Sequence, residues 1–291
     1  RQGVDVYKQN AVDIFGGPYD EVDDAQRQIG KVAELSLLFG GAKGALKNMA
    51  RNYGVGLPDG EAEAIVARWR AANGWAGRYG RRLFEVYLGA VRGQEARVGF
   101  ITYTAEPSVS GVAGYTVGCR LPDASMLYYP GNQGAFVERV GKSGEYMAFE
   151  LTRDMARPGD SEKTHQMADA PVGRPVGRNK FEAMKHETVS FSKALTHSKR
   201  PERVWHGLLA ENVTQATCAS LLRDCLLRVD EVLARRGQII GHTHDEIILE
   251  VPDNDVAWAV SKLTQEMVRV PEWLPGFPLG CEVKTGKRYA K

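Results

Sequence analysis

Two short sets of residues have the types and spacing that could do chemistry. In the stretch Asp23 to Gly41, DDAQRQIGKVAELSLLFGG, the residues Arg27, Lys31, Leu35 and Phe39 recur at every fourth position. On a helix that spacing makes a single row whose members lie about 6 Å apart along the axis. Two cations at that pitch can hold a triphosphate at two points, and the apolar pair beyond them can face a sugar and a base. An ordinary amphipathic helix with two solvated cations has the same row, so the pattern by itself leaves both readings open.

The second set lies in QIIGHTHDEIILEVP, where His242, Thr243, His244, Asp245 and Glu246 sit between two runs of strand-forming residues, Gln238 to Gly241 and Ile247 to Val251. Such flanks predict a tight hairpin with the polar cluster at its tip. Adjacent carboxylates there suit a hard divalent cation bound through oxygen. Asp and Glu are also common in plain turns, and His242 with His244 has no third soft ligand nearby for zinc.

Period and punctuation indicate the elements that must position these sets. Asp23 with Gln26 forms a capping pair, Ile29, Val32, Ala33 and Leu37 face away from the basic row, and Gly40-Gly41 supplies a stop. A helix is expected upstream from Val4 to Phe15, ended by Gly16-Gly17-Pro18. Further helices are expected at Lys43 to Tyr53, Glu61 to Ala72 and Gly74 to Val91. The aromatics of the last two, Trp69, Trp75, Tyr79, Phe84 and Tyr87, read mainly as core.

The period then changes to two. Val98 to Tyr103, Tyr115 to Leu121 and Met126 to Tyr129 read as a small antiparallel ribbon, and polar Arg153 to Arg203 as a long connection. A long helix from Gly207 to Arg235 buries Leu208, Leu209, Val213, Ala216, Leu222, Leu226, Val229 and Leu233, with Glu211 and Gln215 one turn apart. Beyond the hairpin, a helical pattern covers Asp253 to Val270 and a short strand Cys281 to Lys284.

With 291 residues, 43% hydrophobic and 25% charged, the chain is globular material long enough for two domains. It has no apolar run of the ~18 residues a membrane span needs. The net charge of +2 conceals a basic bias between Gly40 and Phe100, with ten Lys or Arg against five Asp or Glu. Cys119, Cys218, Cys225 and Cys281 have no CxxC spacing, which points to a reducing compartment and away from a disulfide framework. The chain opens at Arg1 on a helical pattern already under way, with no Met or signal-like segment before it, as the interior of a longer protein would.

The order of these features resembles a known family. Arg27, Lys31 and the aromatic-glycine pair Phe39-Gly40, followed far downstream by a long helix with Gln215 and a hairpin bearing His244-Asp245-Glu246, resemble the C-terminal half of a family A DNA polymerase, the DNA polymerase I family, in a phage-like form. The Asp23 to Gly41 stretch looks like motif B on the fingers O helix, and His244-Asp245-Glu246 looks like motif C of the palm. The upstream GVDVYKQNAVDIFG is similar to the helix that precedes the O helix. The likeness runs from Gly3 to about Gly40 and from about Leu208 to the end, with the middle third looser.

The resemblance implies an α+β, right-hand polymerase fold: mostly helical fingers over residues 1–200, then the C-terminal part of an antiparallel-sheet palm over 201–291. It implies that Arg27, Lys31 and Tyr7 meet the phosphates of an incoming dNTP, that Lys31 gives a proton to pyrophosphate, and that Leu35 and Phe39 face sugar and base. Asp245, assisted by Glu246, would bind Mg2+ in a two-metal site. His244, Gln215 and Glu211 would lie along primer-template DNA. The implied reaction is template-directed nucleotidyl transfer to a primer 3′ hydroxyl, in the cytoplasm of a bacterial or phage-infected cell and with no membrane partner.

Several residues depart from the family pattern. Tyr7 stands where many members have a phosphate-contacting His. Leu35 replaces a frequent Phe or Tyr at a position that governs sugar selectivity, Phe39 lacks the hydroxyl of the usual Tyr, and Glu211 replaces an Asn. Most important, no Asp-x-Ser-x-Ile-Glu segment, the family's motif A, precedes the O-helix-like stretch, and Asp5 and Asp13 cannot stand in for it. The expectation is therefore a polymerase portion that needs a thumb and a motif A palm, the N-terminal polymerase portion, from another chain or another part of the same chain. A single-subunit RNA polymerase fragment shares the Lys-bearing helix and Asp-bearing hairpin but tends to have Ser after that Asp. A non-catalytic nucleic-acid-binding accessory subunit is the alternative outside enzymes.

Overall fold

The computed structural model describes residues 4–91, 93–107, 115–140, 145–150, 185–191 and 202–289. Four helices form the first layer: α1 (Val6–Phe15), α2 (Asp24–Leu37), α3 (Lys43–Asn52) and α4 (Asp59–Ala72). Their apolar stripes meet in a core of Ile14, Val32, Ala33, Leu37, Leu46, Ala50, Ile65 and Trp69. Asp5 caps α1 by accepting from the Tyr7 and Lys8 amides. The expected capping box of α2 is present: the Asp23 carboxylate accepts from the Gln26 amide, and the Gln26 side chain accepts from the Asp23 amide.

Helix α5 (Gly74–Val91) starts against this bundle through Ala76 and ends in a second core. Strands β1 (Ala96–Val98), β2 (Ile101–Pro107), β3 (Tyr115–Arg120) and β4 (Met126–Val140) follow as an antiparallel meander. The far half of β4 pairs on one side with β5 (Glu145–Glu150) and on the other with β6 (Lys185–Phe191), which in turn pairs with β7 (Glu202–Val204). The sheet is therefore larger than the small ribbon expected. Val98 to Tyr103 straddles a turn between β1 and β2, because Gly99 takes a positive φ of 58° there. The polar connection expected over Arg153 to Arg203 falls mostly outside the described residues, and its described parts are β6 and β7.

The second core closes around Tyr87 of α5, whose ring meets Tyr103 and Tyr129 edge-on at centroid distances of 5.6 and 5.5 Å. Leu209, Ala210 and Val213 of α6 (His206–Leu233) complete it. Farther along, α6 turns Cys225, Val229 and Leu233 into a third core beneath the hairpin β8 (Gln238–Thr243) and β9 (Glu246–Glu250), which α7 (Val256–Met267) closes. The stripe expected on α6 is partly corrected: Leu208, Ala216, Leu222 and Leu226 are only half-buried, whereas Ser220 and Cys225 are buried. Cys281 to Lys284 forms no strand; the segment is irregular. Seven helices, one seven-stranded sheet and one hairpin among the described residues make the fold α+β, as expected.

Candidate nucleotide and metal site

The basic row of α2 begins as the spacing requires and then departs from it. Arg27, Lys31 and Leu35 lie on one helical face, and Leu35 is exposed. Phe39 lies past the last residue of the helix and packs against the second core, so the four residues do not share one uninterrupted helical row. Arg27 donates from Nε to the Asp5 carboxylate at 2.7 Å and lies over the Tyr7 ring, 5.4 Å from its centroid. Burial works against charge on Asp5, but Arg27 and the amides of Lys8 and Tyr7 outweigh it and hold the carboxyl below its ordinary value. The Lys31 ammonium lies 5.8 Å from the Tyr7 ring and 5.2 Å from the Tyr53 ring. Burial, then the Glu34 carboxylate, pushes the Tyr7 phenol up.

Close backbone packing places Tyr7 beside this row. A methyl group on Gly30 would overlap the Tyr7 carbonyl oxygen and stand 2.9 Å from the Ala11 amide, so only glycine lets α1 lie this close to α2. The other end of the segment is held as tightly. A Cβ on Gly207, at the start of α6, would overlap the Phe39 carbonyl oxygen, and one on Gly40 would stand 2.8 Å from the His206 ring.

Along α6, Gln215 donates to Glu211 at 3.1 Å, so the polar pair one turn apart is a bonded pair. Cys218 follows on the same face. Its thiol is pushed up by desolvation and then by the charge of Asp245, and the strands of that hairpin pack against Cys225, Val229 and Leu233 farther along α6. The hairpin forms as expected: Thr243 pairs with Glu246, and the two-residue turn puts His244 at a positive φ of 49°. Asp245 is exposed and makes no hydrogen bond or ion pair among the described residues, while Glu246 accepts from the Tyr289 hydroxyl at 2.7 Å. No group of three or more His, Cys, Asp or Glu side chains converges on a metal-sized site among the described residues.

Helix α6 thus spans the distance between the two sets, from Gly207 at the end of the α2 segment to Cys225 beneath the hairpin. Comparison with known proteins follows the same path along the chain. It is 25% identical over 284 residues to a DNA polymerase of Bacillus phage SP02, a match covering 95% of the chain and 35% of that relative. Among solved structures it superposes on the polymerase domain of Pol1 from M. smegmatis, determined with a DNA primer-template and dNTP, with a TM-score of 0.50 and 14% identity, over 96% of the chain and 33% of that structure. The chain carries part of the DNA polymerase I fold. The likeness to the phage polymerase covers 95% of the chain, the middle third included. No family model matches the chain. It spans about a third of the length of the relatives it matches.

Several residues that support this polymerase fold gave no local signal. Glu34, on α2 beside the basic row, accepts from buried Asn10 at 2.9 Å and from the Trp69 indole at 3.2 Å, and Asn73 joins through Asn10. The four come from three separate helices and the loop after α4, so no spacing reveals them. Asp123, in the turn before β4, bonds Ser125 and Arg223, and its side chain is only 6% exposed. Burial opposes its ionisation, yet Ser125, Ser220 and Arg223 together hold the carboxyl at about 2. This pins α6 to the turn before β4, just past Cys218.

Proposed function

We propose that this chain supplies the nucleotide grip and one metal-binding carboxylate of a DNA polymerase, which performs template-directed nucleotidyl transfer from a dNTP to a primer 3′ hydroxyl. The observation that carries the reading is α6, which packs against the end of the cationic segment at its start and against the carboxylate hairpin farther along. Phosphate grips and a metal carboxylate are two parts of one reaction. The likeness to a phage DNA polymerase supports the same reading. In it, residues 1–200 act as fingers and 201–291 as the C-terminal part of the palm.

Arg27 and Lys31 bind and orient the triphosphate, and Lys31 Nζ holds the proton that passes to the departing pyrophosphate. Leu35 and Phe39 bound the sugar and base. Tyr7 stays close to the phosphates through its ring, beside both cations. Glu211, Gln215 and His244 line the path of the primer-template from α6 to the hairpin tip. Asp245, with Glu246 beside it, offers an oxygen-only donor set that fits Mg2+, which takes one or two carboxylates together with water and substrate phosphates. When bound, the metal pair activates the 3′ hydroxyl and offsets the charge of the leaving group. A second aspartate for that pair comes, in this reading, from a thumb and motif A palm portion outside these residues. The free cysteines Cys119, Cys218, Cys225 and Cys281 and the phage relative support action in the cytoplasm of a bacterial or phage-infected cell. No described helix is long and apolar enough to cross a membrane.

The test is primer extension with Mg2+ by the chain, alone and with an N-terminal complement carrying motif A. Extension by the pair is expected, and its loss in Asp245→Ala and in Lys31→Ala. Wild-type-like extension by either variant would overturn the reading, and extension by the chain alone would overturn the external aspartate.

A further inference from the structure

The two cations of α2 are held by different chemistry. Arg27 has a carboxylate partner in Asp5, but among the described residues no carboxylate lies within ion-pair distance of Lys31. The acid best placed on the same helix, Glu34, is turned inward, where Asn10 and Trp69 occupy it. The Lys31 ammonium lies instead between two phenol rings, Tyr7 from α1 and Tyr53 from the end of α3. Tyr53 is itself fixed, because it is the C-cap of α3 and its amide donates to the Met49 and Ala50 carbonyls.

An aromatic face attracts a cation through its quadrupole without neutralising it. A carboxylate would have to yield the cation before a phosphate could take it, whereas a ring can stay in place. A lysine side chain free to rotate about four bonds loses that freedom on gripping a ligand, so a clamp that restricts it beforehand lowers the entropic cost of binding.

We propose that Tyr53, together with Tyr7, is an aromatic clamp that positions the Lys31 ammonium for the phosphates of the incoming nucleotide. Tyr53 is thus a positioning residue that acts through Lys31, and the proposal rests on the nucleotide reading above. The ring is the part that matters and its hydroxyl is dispensable.

Calorimetric titration of the full chain with a dNTP and, separately, with inorganic tripolyphosphate tests it. Tyr53→Leu is expected to weaken both ligands equally, by about two- to fivefold, the usual range for an exposed cation–ring contact. Tyr53→Phe keeps the ring and is expected to bind as wild type does. Combined with Lys31→Met, Tyr53→Leu should add nothing to the loss from Lys31→Met alone. A loss confined to the dNTP would mean that Tyr53 stacks on the base, and a loss that adds to that of Lys31→Met would mean that it acts elsewhere; either overturns the clamp. If binding depends on Lys31 but not on Tyr53, the clamp fails and the nucleotide reading stands. A wild-type chain that binds neither ligand overturns both.

Discussion

The cationic helix and the carboxylate hairpin are built on opposite principles. Along α2, Arg27, Lys31 and Glu34 each have a holder: Asp5 for Arg27, two rings for Lys31, a buried network for Glu34. At the hairpin tip Asp245 is exposed and has no hydrogen-bonding partner among the described residues, and the support lies below it, where Ile239, Ile247 and Leu249 pack against Val229 and Leu233. Long cationic side chains have many rotamers and benefit from being restrained in advance. A short aspartate on a tight turn is already aimed by its backbone, and any strong partner would compete with a cation for its oxygens. The difference suggests why stability and activity should separate cleanly between the two regions.

The largest effect expected is on activity with little change in stability. Asp245→Ala should lower extension by the reconstituted enzyme at least about a thousandfold, ~4 kcal/mol in the barrier. Its melting temperature should stay close to wild type, because surface changes without lost partners cost about 0.5 kcal/mol or less. A large fall in melting temperature would show that the tip, too, is held by its side chains.

Gly30→Val should do the reverse at the other region. The added side chain meets the α1 backbone, which cannot move aside as a flexible side chain would, so a loss of about 3 kcal/mol is expected in chemical denaturation. Unchanged stability would mean that α1 and α2 are not rigidly seated.

The helix that joins the two regions should show a pH signature. Asp123 has a folded value of about 2 against an ordinary 3.8, so its contribution is present above about pH 4 and is lost as pH falls toward 2. The shift corresponds to about 2 kcal/mol. Urea melts at pH 6 and pH 2.5 should show wild type losing most of that increment relative to Asp123→Asn, which has no charge to lose. Equal acid sensitivity in both would count against Asp123 as the pin between α6 and the turn before β4.

The smallest effect concerns the start of the cationic helix. Asp23→Ala removes one half of the capping box and should cost about 1 kcal/mol, while Asp23→Asn, itself a good cap, should cost much less. Thermal melts of the two variants compare them directly.

Much of this site could be read from the chain because its signals are local. A capping box closes within three residues, a helical row repeats within four, and a hairpin is specified by the few residues of its turn; Asp23, Gln26, Arg27, Lys31 and the His244-Asp245 turn all behave accordingly. The reading failed where the determinant lay elsewhere. Phe39 has the right spacing, but α2 ends at Leu37 and Phe39 packs against a core built from α5, the sheet and α6. Cys281 to Lys284 has strand-forming residues without a strand to pair with among the described residues.

The sequence by itself determined the two chemical sets, their order and the helices and hairpin that carry them, since each depends on hydrogen bonds or periodicity within a few residues. Only the tertiary structure decided who holds each charge. Asp5 reaches Arg27, Tyr53 reaches Lys31, and Asn10 and Trp69 draw Glu34 inward, because helices distant along the chain are brought into contact by apolar packing, and in one place by a glycine that lets two backbones approach. Those contacts set the geometry of the cationic row, and no spacing along the chain encodes them.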